Sequence, residues 1–130
     1  MSKFGCSCGH TIVDQTDCLP HKGFITKDQD CEKVYDGIIK SVIDFLTLSK
    51  NGEREKWLDK YFLPGYPRDL SDESVLWDHI SSMKMNYEVD MYECHKCGRV
   101  WVQKGPEINE FVAYSPDSKK CEFILKSDSK

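Results

Sequence analysis

The residues of this chain best suited to chemistry are its cysteines, seven of them in 130 residues. Four fall into two short pairs, Cys6-x-Cys8-Gly9 and Cys94-His95-Lys96-Cys97-Gly98. Thiolates are good ligands for Zn2+, and structural zinc takes four ligands in a tetrahedron. Two cysteines on one tight turn supply half of that tetrahedron. A following glycine lets the backbone turn at positive φ and aim amide hydrogens at the sulfurs. The first pair is one residue tighter than the usual spacing, yet a single pair would leave the ion half-coordinated. The spacing therefore predicts one structural Zn2+ held by Cys6, Cys8, Cys94 and Cys97. His10 and His95 are the alternative ligands, either of which could stand in for one cysteine. Cys18, Cys31 and Cys121 are unpaired by spacing and are expected to be small buried apolar residues. A site from Cys18, His21 and Cys31 matches no recognised spacing.

Four thiolates leave no coordination position open for water, so this is not the pattern of a catalytic zinc. The sequence has no His-Glu-x-x-His, no Gly-rich phosphate loop and no Gly-x-Ser-x-Gly. His79 falls on the apolar side of a predicted helix and reads as a core or interface histidine rather than a base. Cys121 with His79 has no local support as a nucleophile and base. The expectation is a protein that is not an enzyme.

The elements that must position the cysteines follow from periodicity. Residues 4–16 read as a strand-like start carrying the first pair, and residues 17–25 as irregular, punctuated by Pro20 and Gly23. Thr26-Lys-Asp-Gln29 has the form of a capping box, with Asp28 an equally good cap. Apolar residues then recur at Val34, Tyr35, Ile38, Ile39, Val42, Ile43, Phe45 and Leu46, which predicts a helix with one buried stripe. Gly37 inside it implies close packing, and Asn51-Gly52 is a natural stop. A second helix is predicted over Glu53–Phe62, broken by Leu63-Pro-Gly-Tyr-Pro67, and a third from Ser71. Trp57, Tyr61, Phe62, Tyr66 and Trp77 read as a core seam, with an exposed binding patch as the alternative. Strands are expected at 87–92 and 99–103, then a hairpin of 111–114 with 121–125.

The fold class is α+β: a single zinc-binding domain over 1–130, with a small antiparallel sheet around the knuckle pair. Two to three helices, about 26–84, are inserted between the knuckles, and the C-terminal strands occupy about 87–125. Zinc would then join parts of the chain far apart in sequence and contribute folding free energy.

Composition narrows the function. The chain is 39% hydrophobic and 31% charged, a globular balance. The longest apolar run, Ile38–Leu48, is interrupted by Lys40, Ser41 and Asp44, so no membrane span is expected. Met1-Ser-Lys-Phe-Gly-Cys has no secretory signal pattern, which implies a cytoplasmic protein with reduced thiols. The net charge of −4 falls to about −6 with four thiolates around one Zn2+. That disfavours a phosphate-backbone binder and suits a basic partner.

The two Cys-Gly elements and the Val100-Trp101-Val102 return strand resemble the zinc-ribbon group. In format (small, acidic, metal-pinned, α+β) the chain is similar to the bacterial immunity proteins of polymorphic toxin and contact-dependent growth inhibition systems. That resemblance implies a toxin inhibitor: a protein, monomeric when free, that binds a basic toxin nuclease domain and neutralises it. It maps no partner-binding residue. The alternative expectation is a nucleic-acid-binding or transcription-associated zinc ribbon, with Lys96, Arg99, Lys104, Lys119 and Lys120 as its basic residues and Trp101 stacking on a base.

Overall fold

Two separate core clusters organise the chain, one built on cysteines and the other on tryptophan. The computed structural model describes residues 3–128. The elements run β1 (Lys3–Gly5), β2 (Thr11–Val13), β3 (Lys22–Thr26), α1 (Asp28–Lys50), α2 (Arg54–Tyr61), α3 (Asp72–Met85), β4 (Glu88–Glu93), β5 (Val100–Gln103) and β6 (Phe111–Tyr114). The fold is α+β, with helices inserted between the two cysteine pairs. Two compact units result: the segments up to Thr26 and from Glu88 onward form one, and Lys27–Tyr87 forms the other.

The first unit is all antiparallel. β1 and β2 form a two-stranded ladder with Phe4 opposite Ile12, and the remaining strands form a sheet in the order β3-β4-β5-β6. β3 corrects the expectation of irregular structure over 17–25. Pro20 and Gly23 punctuate the segment, but Lys22–Thr26 pairs along its whole length with β4. Phe24, Ile25 and Thr26 suit a strand, and the partner lies some 66 positions away, out of reach of a local reading. The predicted 111–114/121–125 hairpin is half present. β6 pairs with β5, whereas Cys121–Leu125 is not a strand. Its alternating sequence suits one, but Lys119 and Phe123 adopt φ of 58° and 54°, which turn the backbone out of any ladder.

The second unit is three helices. α1 starts without the predicted capping box: Lys27 is the N-cap, no side chain caps the helix, and Thr26 belongs to β3. Asp28 and Asp30 still place negative charge in the first turn. The helix ends at Asn51 with Gly52 at φ +72°, as the Asn-Gly stop implies. Ser71 caps α3, its hydroxyl accepting from the Ser74 amide at 3.1 Å.

Trp57 and Leu58 of α2 are fully buried against Phe45 and Val75. The Trp57 indole donates to the Ser41 carbonyl at 3.0 Å, so its buried N–H is satisfied. Tyr61, Phe62 and Tyr66 complete the seam, Phe62 and Tyr66 stacked at 3.7 Å, but Trp77 does not join it and is 72% exposed. Arg54 holds the α2–α3 loop by donating to the Arg68 and Leu70 carbonyls and to Asp72. Gly37 lies where α1 meets α3: a Cβ there would overlap the end of Met83. The apolar residues of α1 do not form one buried stripe. Val34 and Phe45 are buried, while Tyr35, Ile39, Ile43 and Leu46 stay exposed. No helix among the described residues is long and apolar enough to cross a membrane.

Candidate metal centre

The β1–β2 turn carries the first cysteine pair and the β4–β5 turn carries the second. In the first, the Cys6 amide donates to the His10 carbonyl at 2.8 Å and the Gly9 amide to the Cys6 carbonyl at 2.9 Å. In the second, the Cys94 amide donates to the Arg99 carbonyl at 2.9 Å and the Gly98 amide to the Cys94 carbonyl at 2.8 Å. The two turns repeat one hydrogen-bond scheme despite their different lengths. Gly9 and Gly98 close them at φ of +96° and +80°, the region that favours glycine.

Phe4 fixes how the turns meet. Its ring packs edge-on to Tyr92 and Trp101, at 5.2 and 5.8 Å, and stacks on Phe111 at 5.4 Å. One aromatic of the short ladder is thus held against one residue from each of β4, β5 and β6. Lys22 reinforces the assembly by donating to Asp14 at 2.6 Å, and the Tyr92 hydroxyl donates to the same carboxylate.

All four predicted sulfurs converge. Cys6, Cys8, Cys94 and Cys97 each place Sγ within 4.8 Å of the others. The Cys6–Cys97 and Cys8–Cys94 distances, one sulfur from each turn, are both 3.6 Å. A tetrahedron with metal–sulfur bonds of about 2.3 Å has sulfur–sulfur edges of about 3.8 Å. The four cysteines are therefore positioned to bind a metal ion. Neither His10 nor His95 belongs to this group; His95 lies instead with Glu93 and Cys121.

The surroundings favour thiolate unevenly. Burial alone would raise the Cys6 thiol, but the Cys8 amide and the Trp101 indole bring it down to about 6. The indole N–H is buried and turned towards that sulfur, though its geometry falls short of a regular hydrogen bond. Burial also acts on Cys97, where the Arg99 amide outweighs it and lowers the thiol. At Cys94, fully buried, desolvation wins and pushes the thiol up to about 12. A cation bound at the centre would allow all four sulfurs to ionise together. Arg99 adds outer-shell charge, donating from Nη1 and from its amide to Cys97 Sγ at 3.4 and 3.5 Å. Sequence reasoning gave Arg99 a nucleic-acid role and passed over this one. Its position two residues after a ligand was the available signal.

The other cysteines differ from expectation. Cys18 is exposed, at φ 58°, and Cys31 and Cys121 are half-buried, so none is a fully buried apolar residue. Cys18, His21 and Cys31 do not form a ligand group among the described residues; His21 donates from Nε2 to the Val13 carbonyl at 2.6 Å. His79 is a core histidine, buried against Trp57 and Tyr61. Burial lowers its pKa and so favours the neutral ring.

The chain belongs to the family defined by a domain of unknown function, DUF8617, whose model matches residues 2–118. No curated protein matches the chain, and no solved structure does.

Proposed function

We propose that Cys6, Cys8, Cys94 and Cys97 hold one structural Zn2+. We further propose that the chain is a non-catalytic cytoplasmic binding protein of the immunity type, monomeric when free, which neutralises a basic toxin domain such as a nuclease. The four-sulfur cluster carries the first part. A closed thiolate tetrahedron has no position for a reacting water, so the ion's contribution is to the fold.

The partner reading rests on charge and on α1. The net charge of −4 becomes more negative with the metal site filled, which steers a basic partner and repels phosphate. Tyr35, Ile39, Ile43 and Leu46 recur along α1 at helical spacing, each more than half exposed, with Glu32, Lys33, Asp36 and Lys40 exposed beside them. An apolar stripe of this kind with a charged rim fits the apolar centre of a partner surface, while the sign of that partner is set by the chain's net charge.

Two observations count against the nucleic-acid reading. Trp101 is engaged with Phe4 and the cysteine cluster instead of being held out for a base. Arg99 is committed to Cys97, and Lys104 pairs with Glu110 at 3.6 Å.

Capture from a lysate of the host at low and high salt, with bound metal quantified on the same sample, tests the proposal. The expected result is a single basic protein released as salt rises, whose toxic activity the chain suppresses, with zinc retained throughout. Retention of nucleic acid in place of protein would favour the zinc-ribbon alternative.

A further inference from the structure

A second group of metal-ligating side chains lies behind the knuckle. Tyr92 and Glu93 are neighbours on β4, and successive strand residues point to opposite faces. Tyr92 faces Phe4 and the cysteine cluster. Glu93 consequently projects from the other face, where Cys121–Leu125 packs. Leu125 rests on Gly23, and the backbone of Lys120 and Cys121 passes so close to Gly98 that a Cβ there would sit 2.5 Å from the Lys120 carbonyl oxygen. This approach brings Cys121 beside the knuckle and places one ligand atom each from Glu93, His95 and Cys121 within 4.8 Å of one another.

Glu93 is only 2% exposed, and its Oε1 has no hydrogen-bond partner. His95 Nε2 is also buried without a partner. The remaining side-chain contact of Glu93 is the Cys121 thiol, and a buried carboxylate with so few donors is costly, so natural proteins almost always pair one or bind a cation with it. Among the described residues no Lys or Arg forms an ion pair with Glu93. The ring of Phe123 packs on His95 at 5.0 Å, from a backbone at φ 54° that a bulky residue rarely adopts.

From this convergence we infer that Glu93, His95 and Cys121 form a second metal site, for a borderline divalent ion such as Zn2+ or Co2+. One carboxylate oxygen, one imidazole nitrogen and one thiolate suit such ions better than Mg2+ or Ca2+, which prefer all-oxygen sites. A carboxylate and a thiolate together balance the charge of a divalent cation. Bonds of about 2.0–2.3 Å bring ligand atoms to about 3.3–3.8 Å apart, so the three groups need to close by about 1.5 Å at most. Three protein ligands leave a fourth position for water, unlike the closed four-sulfur cluster. Glu93 also lines a cavity shared with Glu122, Tyr114 and Ile124.

The test is Co2+ titration of the full chain already carrying one Zn2+, read by thiolate-to-cobalt charge transfer in the near ultraviolet, with zinc content followed by native mass spectrometry. Zn2+ outranks Co2+ for the same ligands, so cobalt reports vacant sites. The expected result is one equivalent of cobalt bound with a one-thiolate band. That band should be absent in Cys121→Ala, at least about tenfold weaker in affinity in the near-isosteric Glu93→Gln, and unchanged in Cys18→Ser. Retention of the first zinc by every variant shows that the four-sulfur cluster is intact, so either outcome bears on the second site alone. No band in the unaltered chain, or a band that survives both Cys121→Ala and Glu93→Gln, overturns the inference.

Discussion

The two units solve the problem of a small core in opposite ways. In the strand unit the buried cluster is Cys6, Ile12, Tyr92 and Cys94, so half of it consists of candidate metal ligands. In the helical unit the corresponding cluster is Phe45, Trp57, Leu58 and Val75, all apolar, with His79 buried against Trp57. Apolar burial contributes roughly 25 cal/mol per Å2, so a core of large side chains holds itself together. Strands of three to six residues cannot do the same. The comparison teaches where a metal ion would contribute most: at the unit of short strands, whose buried cluster relies on cysteines.

Removing the metal should therefore separate the two. Chelation or Cys94→Ser should abolish the tertiary signals of Tyr92 and Trp101 while most far-ultraviolet helical signal persists. Zinc binding in small domains is worth on the order of 10–16 kcal/mol, which makes this the largest effect. Full zinc content and an unchanged melting temperature in Cys94→Ser would contradict the site assignment.

Trp57→Ala is the mirror experiment. It empties the centre of the helical core and should cost about 3–5 kcal/mol by thermal or denaturant unfolding, with zinc content unaltered. Gly98→Ala comes next. The left-handed turn alone costs about 1–2 kcal/mol, and the added Cβ also meets the Lys120 carbonyl. Gly52→Ala shares the positive φ but meets open space, so it should cost only the conformational part. Unfolding midpoints of the pair isolate the contact behind the knuckle.

A smaller effect is expected at Asp14. Partial burial would raise its carboxyl, but Lys22 and the Tyr92 hydroxyl outweigh that and hold it below its ordinary value. A lowered folded-state pKa contributes stability above the unfolded value, near 3.8, that is lost as pH falls through the folded value. Asp14→Asn should cost about 1–3 kcal/mol at neutral pH and flatten the acid limb of a stability–pH curve. Cys18→Ser, at an exposed thiol, should stay within about 0.5 kcal/mol of the unaltered chain.

Legibility in the sequence differed between the same two regions. The cysteine quartet could be read because the four-ligand rule links two pairs some 86 residues apart without any knowledge of the path between them. The helices could be read because their periodicity and stops are local. What local patterns did not carry was tertiary. β3 depends on a distant partner that outweighs Pro20 and Gly23. Cys121–Leu125 alternates like a strand, yet packing against Gly98 and Gly23 sets its course. The α1 periodicity announces a helix but not that Val34 and Phe45 are buried while Ile39 and Ile43 are exposed. The place of Glu93 beside Cys94, one step out of phase with Tyr92, was the sequence signal for the group behind the knuckle. It acquires meaning only once Cys121 is seen to fold over it.

The most direct test of the central claim is X-ray absorption at the zinc edge on purified Cys121→Ala, in which only the quartet can hold a thiolate-rich site. The account predicts one zinc per chain with a first shell of four sulfurs at about 2.3 Å. A first shell containing nitrogen or oxygen, or a chain purified without zinc, would contradict it.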